Sequence, residues 1–419
     1  MGLKETINEI GKKAKKASFE LAMVDDKFKS LSLVNASKEL MRNKKNILSE
    51  NKKDVSRALK KKLSKALIDR LLLDSERIDS ICKGMEDISK LTNPVGKKLS
   101  SWSRPNGLKI EKVSVPLGVI GVIYESRPNV SADAAALCLK SSNATILRGG
   151  SESFYSSSII INLINKSFRK SGLPSGTLQN IPTTEREAVG HLLKLDKYVD
   201  VIVPRGGKSL IERVSRESRI HVIKHLDGIC HTYINKNSNK EISKDIVVNA
   251  KMRRPGICGA TETLLIDYEI IESHLPPIIN KLKELGCEIR ADRPVCKMDP
   301  SLKLANEKDW STEYLDSIIS IKSLKGGVNE AIDHINKYGS NHTDAIISND
   351  KKVVEFFLNK VDSGIVMHNT STQFADGGEF GMGAEIGIST SKLHARGPVG
   401  VSQLTSFKYK VRGNGQIRP

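Results

Sequence analysis

One cysteine of this chain stands in a setting that suits a nucleophile. Cys258 lies in the run Arg253-Arg254-Pro255-Gly256-Ile257-Cys258-Gly259, with two arginines ahead of it and a glycine on either side. Nearby cations lower the pKa of a thiol because they stabilise the thiolate, and glycines leave room for a carbonyl group to approach the sulfur. The alternative is a small apolar core residue, which is what most free cysteines are.

The remaining cysteines suggest neither disulfides nor a metal site. The chain contains Cys82, Cys138, Cys230, Cys258, Cys287 and Cys296, without a Cys-x-x-Cys pair. Reduced thiols in a cytoplasmic protein are therefore expected. The pair His221 and His225 lacks the intervening glutamate of a zinc-protease helix, so we interpret these histidines as strand and turn residues and expect no metal.

Three glycine- and arginine-rich turns could hold a phosphate group. They are Glu125-Ser126-Arg127-Pro128-Asn129, Arg148-Gly149-Gly150-Ser151 and Pro204-Arg205-Gly206-Gly207. Glycine lets backbone N–H groups approach an anion, arginine adds a charged fork, and helix starts contribute a favourable dipole. Ordinary turn chemistry is the alternative, and no Gly-x-Gly-x-x-Gly fingerprint follows the first strand.

The helices and strands that position these residues are predicted to form an α/β fold. Apolar spacing predicts helices over the first ninety or so residues, one of them behind the capping candidates Asp74 and Ser75. Apolar strands then alternate with helices between 117 and 223, which predicts a parallel sheet covered on both faces. In such sheets ligands bind beyond the carboxyl ends of the strands, where the three turns lie. A second α/β block, from 228 to about 393, carries Cys258.

Two further segments are strand-like. Residues 107–115 alternate between apolar and polar, and residues 406–411 do so near the end of the chain. The tail is too short to form a domain. It is expected to pair either with 107–115 or with the sheet of a neighbouring subunit.

The basic charge is the main argument for a different function. The formal net charge is +19, and residues 1–100 hold 24 Lys and Arg against 14 Asp and Glu. Nucleic acid is the obvious rival partner. These lysines are scattered around helices without interleaved aromatic residues, so a solvated surface is the preferred interpretation. The sequence also lacks an apolar stretch long enough to span a bilayer and a secretory signal.

Four segments together resemble the aldehyde dehydrogenase superfamily. They are VPLGVIGVIYESRPNV at 115–130, ILRGGSE at 146–152, RPGIC at 254–258 and FGMGAEIGISTSKLHARGP at 380–398. The resemblance implies two doubly wound α/β domains and a small β oligomerisation element. The cofactor-binding domain would comprise 1–106 and 116–228, the catalytic domain 229–395, and the β element 107–115 and 396–419.

The resemblance also implies a reaction. Within the superfamily the chain is similar to enzymes that reduce gamma-glutamyl phosphate with NADPH to glutamate-5-semialdehyde and phosphate, in proline biosynthesis. Cys258 would form a thioester, which accepts hydride readily. The implied protein is a cytoplasmic homo-oligomer that binds neither membrane nor nucleic acid, with glutamate 5-kinase as a transient partner.

Residue roles carry over position by position. The side-chain amide of Asn129 and the backbone N–H of Cys258 would stabilise the oxyanion. Arg148, Gly149 and Gly150 would contact the cofactor, Arg148 at its 2′-phosphate, and Glu313 would hold the nicotinamide ribose; Arg205, Gly206 and Gly207 are further cofactor candidates. Substrate-binding candidates are Arg127, Arg253, Arg254, Glu385 and Arg396.

One position departs from the hydrolytic members of the superfamily. They carry a water-activating glutamate where this chain has His225. The absence of that base suits an enzyme whose thioester must not be hydrolysed by water. A purely structural role for His225 is the alternative. A hydrolytic aldehyde dehydrogenase is the alternative function, and dependence on phosphate separates the two.

Overall fold

Two compact units make up the computed structural model, which describes residues Gly2–Arg418. Unit 1 comprises the chain up to Lys224, Gly381–Gly387 and the stretch from Val399 onward. Unit 2 comprises His225–Phe380 and Ile388–Pro398. The division after Lys224 falls four residues before the boundary expected at Gly228.

The first ninety residues of unit 1 are helical, as predicted. The helices of this unit are α1 (Leu3–Leu21), α2 (Asp26–Arg42), α3 (Lys44–Lys60), α4 (Lys65–Leu71), α5 (Ser75–Lys90), α6 (Val130–Lys140), α7 (Phe154–Lys170), α8 (Arg186–Leu192) and α9 (Lys208–Glu217). Asp74 caps α5, because its Oδ1 accepts the N–H of Arg77 at 2.8 Å. This confirms the capping position expected from the sequence.

A five-stranded parallel sheet forms the centre of unit 1. Its strands are β3 (Val119–Tyr124), β4 (Ala144–Gly149), β5 (Leu178–Asn180), β6 (Val201–Arg205) and β7 (His221–Val222), in the order β5-β4-β3-β6-β7. The chain runs outward from β3 to β5, then crosses to β6 and β7. Because crossovers between parallel strands are almost always right-handed, α6 and α7 are expected on one face and α8 and α9 on the other. The order reverses between β3 and β6, which makes their carboxyl ends the expected ligand position.

The apolar runs at 144–147 and 198–203 predict strands β4 and β6, and both strands end two residues later than these runs. Arg148 and Arg205 are consequently strand residues at the carboxyl edge, and the last turn begins only at Gly206. Strand β5 was not predicted at all.

A separate antiparallel sheet in unit 1 includes the tail. Strands β1 (Lys98–Ser103), β2 (Lys109–Pro116) and β17 (Thr405–Arg412) pair in the order β1-β2-β17. The tail thus adopts the first of the two expected pairings. Residues 98–103, which the prediction assigned to the cofactor-binding domain, belong to this sheet.

Unit 2 is built on a seven-stranded parallel sheet. Its strands are β8 (Cys230–Ile234), β9 (Thr261–Asp267), β10 (Glu288–Ala291), β11 (Lys303–Leu304), β12 (Ile318–Leu324), β13 (Thr343–Ile347) and β14 (Ile365–His368), in the order β11-β10-β12-β9-β8-β13-β14. The helices are α10 (Lys240–Met252), α11 (Ile271–Glu284), α12 (Arg293–Met298), α13 (Gly327–Tyr338) and α14 (Lys351–Lys360). A short antiparallel pair, β15 (Ile388–Ser389) and β16 (Gly397–Pro398), completes the unit.

Helices cover both faces of this sheet, and alternate side chains of its strands pack against them. Leu264 and Ile266 of β9 pack in one cluster with residues of α10 and α11, such as Val247 and Leu275. Leu265, between them, packs in another cluster with residues of α13 and α14. This two-residue period is that of a strand covered by helices on both sides, so the doubly wound prediction is confirmed.

Within Gly2–Arg418 no helix combines the length and the apolar character needed to span a membrane.

Candidate active site

Cys258 and two histidines meet at one edge of the sheet in unit 2. Strands β9, β8 and β13 are neighbours and run parallel, so the residues that precede them share the amino edge. Cys258 precedes β9, His225 precedes β8, and His342 comes directly before β13. The sulfur and one ring nitrogen of each histidine all lie within 4.8 Å of one another. In this unit the three side chains therefore meet at the amino edge, opposite to the usual ligand side of open sheets.

A buried ion pair holds both ends of the cysteine loop. Lys251 lies in the last turn of α10 and Glu262 is the second residue of β9, and their side chains are fully buried with Nζ and Oε2 2.6 Å apart. Burial raises the pKa of Glu262 to about 7, although Lys251 acts in the opposite direction. Glu262 Oε1 also accepts the N–H of Leu315 at 3.3 Å. These contacts fix the loop of residues 253–260.

The backbone of Cys258 is tightly enclosed. A Cβ placed on Gly228 would lie 2.2 Å from the carbonyl oxygen of Cys258 and 2.7 Å from its Cα. The buried thiol of Cys230 donates to that same oxygen at 3.1 Å, and burial raises the Cys230 pKa well above its usual range. The N–H of Cys258 forms no hydrogen bond with any residue of the described chain. It is therefore a candidate donor to an external acceptor.

The arginines and glycines around Cys258 differ in their roles. Arg253 and Arg254 are exposed, and Arg253 Nη1 contacts Gln373 Oε1 at 3.4 Å while lining a pocket of about 310 Å³. Gly259 is close-packed, since a Cβ there would lie 3.2 Å from the Thr372 carbonyl oxygen. Gly256 has room for a side chain, since a Cβ there would have the Leu315 carbonyl oxygen as its nearest neighbour, at 3.7 Å.

The histidines are oriented by polar contacts of their Nδ1 atoms. His225 Nδ1 lies 2.8 Å from the carbonyl oxygen of Ile388, so this nitrogen carries the proton. His342 Nδ1 lies 2.9 Å from Thr343 Oγ1 and 3.7 Å from Cys230 Sγ. The two rings meet edge to face with centroids 5.3 Å apart.

Two other predicted residues of unit 2 already have protein partners. Glu313 Oε1 accepts the N–H of Gly228 at 2.9 Å, which ties it to the glycine beneath Cys258. Arg396 forms an ion pair with Asp362 at 2.6 Å and donates to its carbonyl oxygen.

In unit 1, two of the three turns meet where the strand order reverses. Tyr124 at the end of β3 is in register with Arg205 at the end of β6. Glu125 Oε2 accepts the N–H of Gly207, the N-cap of α9, at 2.9 Å. A Cβ on Gly206 would lie 2.4 Å from the same carboxylate oxygen. Glu125 therefore occupies the anion position that the sequence analysis assigns to a cofactor phosphate.

The nearby arginines keep unsatisfied donors. Arg148 is 7% exposed, and its Nη2 donates to the carbonyl oxygens of Thr184 and Glu185 at 3.0 and 3.2 Å. Within the described chain, the Nε atoms of Arg148 and Arg205 are buried without a hydrogen-bond partner. Gly149 and Gly150 follow Arg148, and a Cβ on Gly150 would lie 2.6 Å from Glu152 Oε2. Buried unsatisfied donors of this kind are expected where a ligand binds.

Asn129 stands at the start of α6, at the N-cap position. Its Nδ2 donates to Asp133 Oδ2 at 3.0 Å. Burial raises the pKa of Asp133 to about 6, partly offset by Asn129 and Arg205. The contact fixes the amide and leaves a second N–H on Nδ2. The remaining candidates of this unit, Arg127 and Glu385, are both half-buried.

Comparisons with known proteins identify the family. A model of the aldehyde dehydrogenase family matches residues 4–315. A gamma-glutamyl phosphate reductase of Paramagnetospirillum magneticum is 55% identical over 413 residues, which cover 99% of this chain and 97% of the relative. The chain belongs to the aldehyde dehydrogenase family. The resemblance inferred from the sequence motifs is confirmed.

Solved structures agree with this assignment. The gamma-glutamyl phosphate reductase of Thermotoga maritima matches with a TM-score of 0.95 at 38% identity, covering 99% of this chain and 100% of that one. An acetylating aldehyde dehydrogenase of Geobacillus thermoglucosidasius matches with a TM-score of 0.71 at 16% identity, covering 100% and 98%, and shares the fold.

Several residues of these sites escaped the sequence analysis. His342 and Gly228 lie far from Cys258 along the chain, and only the strand order brings them to it. Asp133 carried a usable signal, because it follows Asn129 by four residues on a helix. Glu125 was included in a phosphate-binding turn but not recognised as the cap of α9.

Proposed function

We propose that this chain reduces gamma-glutamyl phosphate to glutamate-5-semialdehyde and phosphate with NADPH, in the biosynthesis of proline. The observation that carries the proposal is the 55% identity, over 99% of the chain, to a protein named gamma-glutamyl phosphate reductase. The partly exposed thiol on a clamped loop supports it. A cytoplasmic location is part of the same proposal.

The chemistry begins at the sulfur of Cys258. Its thiolate attacks the acyl carbon of the substrate, an S–C bond forms, and the C–O bond to phosphate breaks, so that phosphate leaves with its electron pair. The product is a thioester on Cys258. Hydride addition to this thioester gives a thiohemiacetal, and its collapse releases the aldehyde and restores the thiolate.

The negative charge that develops on the carbonyl oxygen needs preplaced donors. The free N–H of Cys258 suits this role, since its loop is held at both ends and its carbonyl group is already engaged. A donor of this kind contributes about 3 to 4 kcal/mol to transition-state stabilisation. The Asn129 amide, fixed by Asp133, is proposed as the second donor.

The residues at the carboxyl edge of the sheet in unit 1 fit a nicotinamide dinucleotide. We assign the buried Nε atoms of Arg148 and Arg205 and the glycines 149, 150, 206 and 207 to its binding. When bound, the cofactor would supply the hydride. A phosphate at the start of α9 would have to displace the Glu125 carboxylate. Glu313 stays a proposed ribose ligand.

Recognition of the glutamyl group is less defined. Arg253 is the best placed of the proposed substrate ligands, because it is exposed and lines the pocket of about 310 Å³. Arg127, Arg254 and Glu385 stay proposals. Arg396 would have to leave its ion pair with Asp362 in order to bind a substrate carboxylate.

The first test is turnover in the oxidative direction. Purified protein is given glutamate-5-semialdehyde and NADP⁺, with and without phosphate, and reduction of the cofactor is followed. We expect activity only with phosphate, and its loss in Cys258→Ala. Cys296→Ala, which removes another partly exposed thiol, should be as active as the natural chain. Turnover by Cys258→Ala would refute the mechanism, and equal rates without phosphate would indicate the hydrolytic alternative.

A further inference from the structure

We propose that Cys258, His225 and His342 form a binding site for one thiophilic divalent cation of the Zn²⁺ class. Its occupation covers the sulfur. The binding itself does not depend on the reaction catalysed, whereas the loss of activity that it causes rests on the proposed function. No metal is expected from the sequence, because it contains no Cys-x-x-Cys pair and the pair His221 and His225 lacks the glutamate of a zinc-protease helix.

The ligand atoms are close enough for coordination. All three lie within 4.8 Å of one another. Zinc bonds of about 2.0 to 2.1 Å to nitrogen and about 2.3 Å to sulfur imply tetrahedral ligand separations of roughly 3.3 to 3.6 Å. Side-chain movements of about 1 Å therefore complete the site, as expected from this bond geometry.

The contacts of Nδ1 in each histidine leave Nε2 as the candidate ligand atom. The Ile388 carbonyl oxygen accepts from His225 Nδ1, which leaves Nε2 of that ring as the basic atom. His342 Nδ1 is engaged with Thr343 Oγ1, so we assign Nε2 as its ligand atom as well. A ligating histidine usually has its other nitrogen held by a carbonyl, carboxylate or hydroxyl group, because that contact fixes the tautomer and the ring plane.

The donor set determines which ions bind. One thiolate and two neutral imidazoles favour zinc, cobalt and cadmium over magnesium and calcium, which prefer oxygen ligands. On binding, the S–H bond of Cys258 breaks, an S–metal bond forms, and the proton passes to solvent. Three protein ligands leave a fourth position for water, and Cys258 and His225 are both partly exposed, so the ion can enter.

The test uses Co²⁺ as the probe, because its thiolate complexes absorb in the near ultraviolet and zinc complexes do not. Full-length protein free of reductant is titrated with Co²⁺, and Zn²⁺ is then added as a competitor. We expect one equivalent to produce a thiolate-to-cobalt absorption band that Zn²⁺ removes. No band with the natural chain would overturn the proposal.

Variants assign the ligands. Cys258→Ala should abolish the band, and His225→Ala should weaken Co²⁺ binding about 10-fold or more. His342 is buried, so His342→Ala is interpreted only if its circular dichroism matches that of the natural chain. Cys296→Ser and His191→Ala, which alter a thiol and a histidine outside the cluster, should leave the band unchanged. An undiminished affinity in His225→Ala would overturn the site.

Activity is measured separately on the same preparations. One equivalent of Zn²⁺ should reduce phosphate-dependent turnover at least 10-fold, and a chelator should restore it. A protein that binds Co²⁺ through Cys258 but never reduces NADP⁺ would refute the proposed function and leave the metal site standing. Turnover that depends on Cys258 in a protein that shows no cobalt band would refute the metal site and leave the proposed function standing.

Discussion

At the scale of single residues, the geometry of Cys258 depends on a glycine thirty positions earlier. Replacing Gly228 by alanine would place a methyl group 2.2 Å from the carbonyl oxygen of Cys258, so the cysteine backbone must shift. Because displacement of a reacting group by about 1 Å can cost 100-fold in rate, we expect Gly228→Ala to lower kcat by about that factor. Gly256→Ala, whose new methyl group meets nothing closer than 3.7 Å, is the control. Equal kcat values for the two variants would contradict this view of the loop.

A buried carboxyl group gives a pH-dependent prediction. The Asp133 carboxyl titrates near pH 3.8 in the unfolded chain and near 6 in the folded protein. Between these values only the folded state keeps the proton, so stability falls as pH rises through this window. Asp133→Asn should therefore raise the free energy of unfolding at pH 8 by up to about 3 kcal/mol, and by little below pH 4. Urea unfolding at both pH values measures this.

The matching control has the opposite sign. The hydrogen bond from Lys283, and to a smaller extent the one from Ser301, lowers the pKa of Asp299 to about 2. Its ionised form therefore stabilises the fold above the unfolded pKa of 3.8, and that stabilisation is lost as pH falls towards 2. Asp299→Asn should be less stable than the natural chain at pH 8. The same pH trend in both variants would refute the assignment of Asp133.

The candidate role of a residue could be predicted from the sequence where the residues beside it indicate that role. Cys258 and Asn129 stand in short runs whose composition indicates their chemistry. His342 precedes an ordinary buried strand, and nothing beside it in the sequence indicates a role. It reaches Cys258 only because β13 and β9 both flank β8. Long-range strand order is the information that a single sequence lacks.

At the scale of elements, the ion pair between α10 and β9 stabilises the ends of the cysteine loop. Removing one charge leaves the other buried and unpaired, so Glu262→Leu should lower the free energy of unfolding by about 3 to 5 kcal/mol. The double variant Lys251→Met/Glu262→Leu should regain most of this loss, because it buries no charge. Glu284→Ala, which breaks an exposed pair with Lys281, should cost less than about 1 kcal/mol. Urea unfolding compares the three, and a double variant no better than the single one would contradict this account.

Helices and strands were predictable to different degrees. The long helices were predicted because their periodicity is strong over many residues, and strands β3 and β4 because they are short, mostly apolar runs between helices. Strand β5 has only three residues, Leu178–Asn180, and exists because it pairs with β4. Its sequence carries no period that could indicate it.

At the scale of the whole molecule, the sheet formed by β1, β2 and β17 is the proposed oligomerisation surface. Tyr409 and Val411 on its edge strand are 55% and 56% exposed. An exposed edge with apolar side chains is a template for pairing with another chain. We expect the natural protein to be a homo-oligomer and Tyr409→Glu/Val411→Glu to shift it towards the monomer in light scattering. Met23→Glu, at an 87% exposed position on the helical layer, should not. A natural chain that is already monomeric would refute the proposal.

The path of the chain between the two units has a consequence for biosynthesis. The polypeptide passes from one unit to the other after Lys224, Phe380, Gly387 and Pro398. Strand β17, whose Thr405 pairs with Pro116, closes a sheet whose second strand ended almost three hundred residues earlier. During synthesis on the ribosome, one edge of β2 therefore stays unpaired until β17 emerges. A nascent chain stalled just short of β17 should depend on chaperones more strongly than the released protein does.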